Sequence, residues 1–231
     1  MNSARVSFVL ALALFATSLV AAASPAAAAV RPSQELAGLL RAHEARSAPG
    51  NRSAIVELIP STTPITGVRT VLPVLAHHGG WLKVRLPGRP NGHVGWIVRK
   101  GTTASVTAWH LVVDLSRRLV IVYRSGRPVR DFRAVVGKPS TPTPRGEFFV
   151  EESIALRPTD VGAPFAFALS ARSNVLQEFD GGPGQIALHG LANIGGVPGT
   201  AVSHGCVRLP TAVMRWLVTR IGTGAPVTIT S

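Results

Sequence analysis

The sequence predicts a mostly β chain with minor α content, built as a small N-terminal barrel-like β domain followed by a β-sandwich domain. Three patterns carry this. Short β-type runs recur between Ala54 and Val106, separated by Gly79-Gly80 and Pro90-Asn91-Gly92. A second set opens with two alternating stretches, His110–Leu115 and Arg118–Tyr123, around the polar turn Ser116-Arg117. Sustained helical periodicity near the end is confined to Val213, Trp216, Leu217, Arg220 and Ile221.

Taken in order, residues 1–29 carry one charged side chain, Arg5, and Val6–Ala23 is almost wholly apolar. Small residues follow at Ala21–Ala23 and Ala27–Ala29, as a signal peptidase requires, so the segment reads as an export signal, with a retained membrane anchor as the alternative. Residues 30–53 read as a linker with one short helix, because Leu36, Leu39 and Leu40 share a helical face behind Ser33 as a cap. Residues 54–105 supply five strands, Ala54–Ile59, Thr70–Ala76, Trp81–Leu86, Val94–Val98 and Thr102–Val106, enough for a small barrel. Residues 106–231 add the hairpin, strands at Phe132–Val136 and Gly146–Glu151, and an extended loop held by Pro139, Pro142 and Pro144. A helix capped by Thr211 and stopped at Gly222, then a strand over Pro226–Thr230, close the chain.

The 231 residues are 46% apolar, which supports a packed core and excludes extended disorder. Formal net charge is +13, from 21 Arg and 3 Lys against 11 acids, and falls to +12 without Arg5. Such a balance favours anionic surroundings, including wall polymers. Nucleic acid is not expected, because the arginines are scattered and neither a basic helix nor an aromatic platform is evident. Cys206 stands alone, so the chain has neither an internal disulfide nor a zinc site built on several thiolates. In an exported chain an unpaired cysteine is intermolecular, accidental or chemically employed.

Context favours chemistry. Cys206 lies in Ser203-His204-Gly205-Cys206-Val207-Arg208-Leu209, and Gln185–Gly190 precedes it with His189 at the end of an apolar strand. An unperturbed thiol, with a pKa of about 8.5, is mostly protonated at neutrality and needs a base beside it. A loop of this length can return His189 to Cys206. Gly205 lets a substrate backbone approach, and the amides of Cys206, Gly205 and His204 are candidate oxyanion donors, each typically worth about 3 to 4 kcal/mol. Arg208 either meets a substrate carboxylate or braces the loop. His77, His78, His93 and His110 have no partner motif and read as surface or structural histidines. A zinc ion on His189, His204 and Cys206 would lack carboxylate support, because no acid follows Asp180, and no metal or cofactor is expected.

These residues resemble the bacterial L,D-transpeptidase catalytic domain. The likeness rests on His189-Gly190 and Ser203–Leu209, and extends through Val113-Asp114-Leu115, Gly137-Lys138-Pro139, Thr141–Gly146 and Gly224–Ile229. NlpC/P60-type peptidases place cysteine before histidine, the reverse of the order here. The resemblance implies that Cys206 attacks the bond after the third residue of a peptidoglycan tetrapeptide stem, releasing D-alanine and leaving a thioester. It implies that His189 is the base, oriented by the Gly190 carbonyl, and that an acceptor amine then forms a 3→3 cross-link. Catalytic roles fall on Cys206, His189, Gly190, His204 and Gly205, and substrate contacts on Ser203, Arg208 and Asn193. Carbapenems would acylate the same sulfur. The spacing of Gly80-Trp81 and Gly95-Trp96 resembles a Src-homology-3-type wall module. Two other functions compete: an L,D-carboxypeptidase that uses water as acceptor, and a non-catalytic wall-binding protein.

Overall fold

The computed structural model describes residues 30–231 except Asp180. The export signal expected at 1–29 lies outside the described residues. Seven strands form the first sheet: β1 (Gln34–Leu39), β2 (His43–Arg46), β3 (Ile55–Ile59), β4 (Val71–His78), β5 (Trp81–Arg85), β6 (Val94–Val98) and β7 (Thr102–Thr107). Their order is β3-β2-β6-β5-β4-β1-β7, a nearly closed antiparallel sheet that fits a barrel. Alternation sets its inside: Leu82 and Val84 of β5 are buried, whereas Trp81, Lys83 and Arg85 between them are only partly so.

The segment expected to be a helix behind Ser33 is strand β1, paired with β4 on one side and β7 on the other. Three leucines in five residues fit a helical face, but so short a stretch cannot repay helix nucleation. A strand between two others instead buries Leu36, Ala37 and Leu39 and leaves Leu40 outside. With β2, this brings residues 34–46 into the barrel as strands.

The second sheet has eight strands: β8 (Trp109–Asp114), β9 (Leu119–Arg124), β10 (Arg127–Arg133), β12 (Gly146–Ala155), β13 (Phe165–Arg172), β14 (Gln185–Gly190), β16 (Val207–Leu209) and β17 (Pro226–Thr230). The order is β10-β9-β8-β17-β12-β13-β14-β16, with β8/β17 and β14/β16 parallel. Strands β11 (Val136–Gly137) and β15 (Ala201–Ser203) form a separate parallel pair. The single strand expected over Phe132–Val136 is therefore broken, its ends serving β10 and β11. Helix α1 (Thr211–Val218) buries Met214 and Leu217 in the core. Its Trp216 packs edge-on against Trp109 of β8 and Phe132 of β10. Pro210, not Thr211, occupies its N-cap, without a side-chain bond, and Thr219 is its C-cap, ahead of Gly222.

The units meet along β12. Phe148 and Val150 enter the second core, while Phe149, on the opposite face, is buried in the first. Polar groups complete the seam. Glu152, fully buried, accepts hydrogen bonds from the Ile65 and Thr66 amides and the Thr66 hydroxyl, and Glu151 pairs with buried Arg172. Phe149→Ala should cost about 3 to 5 kcal/mol. Thermal unfolding checks this: the expected result is a lowered midpoint reported by both units together, and separate transitions would show that the seam does not couple them.

Candidate active site

Strand β14 positions the histidine. Ile186 and Leu188 point into the core, so Gln185, Ala187 and His189 lie on the opposite face. Strand β16 runs parallel to β14, with Val207 opposite Leu188 and Arg208 opposite His189. Cys206, one residue before Val207, stands level with Ala187, whose backbone hydrogen-bonds the sulfur. Thiol and imidazole therefore occupy neighbouring places on one face of a parallel strand pair. The sixteen residues between them, including β15, return the chain to this ladder.

His189 Nδ1 donates to the Gly190 carbonyl at 2.8 Å, which places the proton on Nδ1 and leaves Nε2 as the free acceptor. Gly162 backs the ring: a Cβ there would collide with His189 Nδ1. The Gly190 amide donates to Gly162 O at 2.7 Å, and the Gly162 amide to Ala192 O at 2.8 Å, so the loop before β13 is tied to the end of β14. A side chain on Gly190 would strike the Ala163 carbonyl.

Burial pushes the His189 pKa down, the Gly190 bond opposes it, and the Arg208 charge lowers it further. Burial pushes the Cys206 thiol up, partly offset by the Ala187 bond and by Arg208. Cys206 as a residue is only half-buried; the crowding is at its sulfur. Burial thus favours the neutral form of both groups.

The cysteine loop is held by hydroxyls. Ser203, fully buried, donates to Cys206 O at 2.6 Å and accepts from the Gly205 amide at 3.1 Å. Two expectations change as a result. Ser203 is a loop brace out of substrate's reach, and the Gly205 amide is engaged, leaving those of Cys206 and His204 as the candidate oxyanion donors. Gly205 itself has φ +119° and packs with its α-carbon toward Ile186, a conformation and clearance that favour glycine.

Sequence reasoning missed the support beneath. Thr143 accepts from the Gly137 amide at 2.9 Å and donates to Gly205 O at 2.8 Å, and Thr141 donates to Ser203 O at 3.3 Å. Their signal was present in Thr141-Pro142-Thr143-Pro144, where an extended backbone sets alternate residues on one side. Gly162 and Ala163 carried no comparable signal.

The other candidates divide. His204 is exposed, with Lys138 Nζ 3.5 Å from its Nε2 and Phe179 stacked on its ring at 5.8 Å. Arg208 is 7% exposed; one guanidinium nitrogen donates to Gly195 O, while its buried Nε has no protein partner. It braces the loop and keeps one donor unspent. Asn193, with φ +58°, donates to Pro158 O at 2.7 Å and Asp160 O at 3.0 Å, so its amide nitrogen ties two loops together rather than facing a substrate. Away from this site, His77 and His93 pair with Glu35 and Glu57, and His110 bonds Thr228. Cavities of about 540 and 220 Å³ lie between the two units, away from Cys206. Among the described residues no cluster of His, Cys, Asp and Glu could hold a metal.

A cysteine and a histidine presented from paired strands, with the histidine oriented by a backbone carbonyl, form an arrangement chemically suited to thiol acyl transfer. Residues 108–229 match the model of the YkuD family, the L,D-transpeptidase catalytic domain, and the chain belongs to that family. It is 25% identical over 242 residues to L,D-transpeptidase 1 of Mycobacterium tuberculosis, covering 89% of this chain and 90% of the relative. It is 31% identical over 123 residues to the putative L,D-transpeptidase YkuD of Bacillus licheniformis, covering 53% and 66%. A crystal structure of an L,D-transpeptidase from M. tuberculosis aligns with TM-score 0.46 at 16% identity, over 70% of this chain and 90% of that one. The protein is a transpeptidase-type enzyme.

Two outcomes are expected. Gly162→Ala, at φ +83° and against the imidazole, should lower Cys206 acylation about 100-fold while leaving the fold intact, read by stopped-time mass spectrometry with circular dichroism as control. Because His189 is depressed, acylation should persist below pH 6.5 and fail only as the imidazole protonates further down; an acid limb centred above 6.5 would contradict the assignment.

Proposed function

We propose that the chain is an exported cysteine transpeptidase that cleaves the L,D peptide bond of a peptidoglycan tetrapeptide stem through a Cys206 thioester and passes the acyl group to an amine, forming 3→3 cross-links. One observation carries this reading: Cys206 and His189 lie on the same face of the β14/β16 pair, with Nδ1 occupied and Nε2 free. The thiol proton passes to Nε2 as sulfur attacks the carbonyl. The oxyanion is met by the His204 and Cys206 amides, and the imidazolium returns the proton to the amino group of departing D-alanine. In the second half-reaction neutral His189 takes a proton from the incoming amine, whose nitrogen displaces the sulfur, and the imidazolium then returns that proton to the departing Cys206 thiolate. Arg208, buried and bonded to Gly195 O, serves this reading as a brace for the cysteine loop and as a positive charge beside the sulfur.

The apolar run Val6–Ala23 supports an extracytoplasmic site of action, where stem peptides are found. Excess positive charge supports attraction to anionic wall polymers.

Incubation with a tetrapeptide muropeptide should add the tripeptide acyl mass to the wild type and nothing to Cys206→Ala, and His189→Ala should slow acylation about 100- to 10,000-fold. Absence of the adduct on the wild type, or its persistence on Cys206→Ala, overturns the reading. Cross-linked dimers in the product identify an amine acceptor, and tripeptides alone identify water. A carbapenem should give an adduct on the same sulfur.

A further inference from the structure

The loop that joins β13 to β14 ends beside the nucleophile and is gripped from the other unit. At its tip the Phe179 ring, half exposed, stacks on His204 at 5.8 Å with 27° between the planes, two residues from Cys206. The tip is a tight turn, with Phe179 and Gly182 exchanging backbone hydrogen bonds at 2.9 and 3.0 Å. Its base closes where the Ser173 amide donates to Gly184 O at 2.7 Å.

That base is held by residues 87–93, the connection between β5 and β6 of the barrel. Gly88 N donates to Ser170 O at 3.0 Å. Asn91 then acts as a strand partner to Arg172: its Oδ1 accepts from the Arg172 amide at 2.8 Å, and its Nδ2 donates to the Arg172 carbonyl at 2.7 Å. Arg89 spans both stems of the loop. Its Nη2 donates to Ser173 O at 2.9 Å and Leu176 O at 3.3 Å on the outgoing stem, and its Nη1 to Pro183 O at 3.0 Å on the return. All three partners are carbonyls, and Arg89 has no carboxylate partner among the described ion pairs. A planar fork can bridge two stems from two separate nitrogens, whereas an ammonium presents its donors from one.

We infer that Arg89 is a positioning residue for the transfer reaction: from the N-terminal unit it fixes the β13–β14 loop, and thereby sets Phe179 against His204 at the mouth of the cysteine site. The barrel then shapes the wall along which the stem peptide lies as well as packing on the catalytic unit. Arg89 touches neither Cys206 nor His189, so its effect is on the binding and register of an extended substrate, not on the reactivity of the sulfur. This inference rests on the reading of Cys206 as the acylated nucleophile.

The test compares two electrophiles on the full chain. With a tetrapeptide muropeptide, Arg89→Ala should raise the apparent KM for acylation about tenfold with little change in kcat. Alkylation of Cys206 by iodoacetamide, which needs no extended binding wall, should not slow. Phe179→Ala, which alters no seam contact, should give the same split, and the double variant should be no worse than either single change, because both act through one loop. Arg89→Lys should fall with Arg89→Ala, since it keeps the charge but not the bridge. A wild-type KM in Arg89→Ala, alkylation that falls in step with acylation, or additive losses in the double variant would each overturn the inference. If Arg89→Ala does not fold, Phe179→Ala and Arg89→Lys decide between the same outcomes. A wild type that alkylates but gives no muropeptide adduct removes the proposed function, and the inference with it.

Discussion

The parallel pairing of β14 with β16 is the constraint on which the rest depends. In a ladder the side chains of facing residues share a face, so fixing Leu188 against Val207 also fixes Ala187 beside Cys206 and His189 beside Arg208. A shift of one residue would send the thiol into the core and Val207 to the surface. What prevents the slip is burial: Ile186, Leu188, Val207 and Leu209 are each 1% exposed or less, and they lock the register from the opposite side.

Electrostatics follow from the same placement. Sulfur and imidazole are both recessed, and burial shifts each toward its neutral form. Arg208 is the only charge named in both environments, and it acts on the two groups alike, lowering each. It favours a thiolate at Cys206 and disfavours an imidazolium at His189. A backbone carbonyl, rather than a carboxylate, orients the ring, so the base is aimed without being made much more basic.

Support for the cysteine loop comes mainly from short hydroxyl side chains. Ser203, Thr141 and Thr143 turn backbone carbonyls and amides of a tight loop inward, satisfying groups that burial would otherwise leave orphaned. The barrel contributes from the far side through the core that receives Phe149, the Ile65 and Thr66 groups that bond Glu152, and the Arg89–Asn91 loop. The second unit thus carries Cys206 and His189, while part of its loop geometry is held by residues 81 to 94 positions earlier in the chain.

By itself the sequence determined the β-rich class, most of the strands between Ala54 and Glu151 and the closing helix and strand, and it singled out Cys206 and His189. These are written locally, as alternation, turn chemistry and an unusual cysteine preceded by two glycine-flanked histidines. Strand β1 was not legible, since three leucines in five residues satisfy helix and strand equally, and only its two neighbours in the sheet decide. Nor were the roles of Ser203, Gly205 and Asn193, because whether a polar group faces substrate or a buried backbone partner depends on which distant segment lies against it. Tertiary structure alone settled those partners, and with them which donors at the nucleophile remain free.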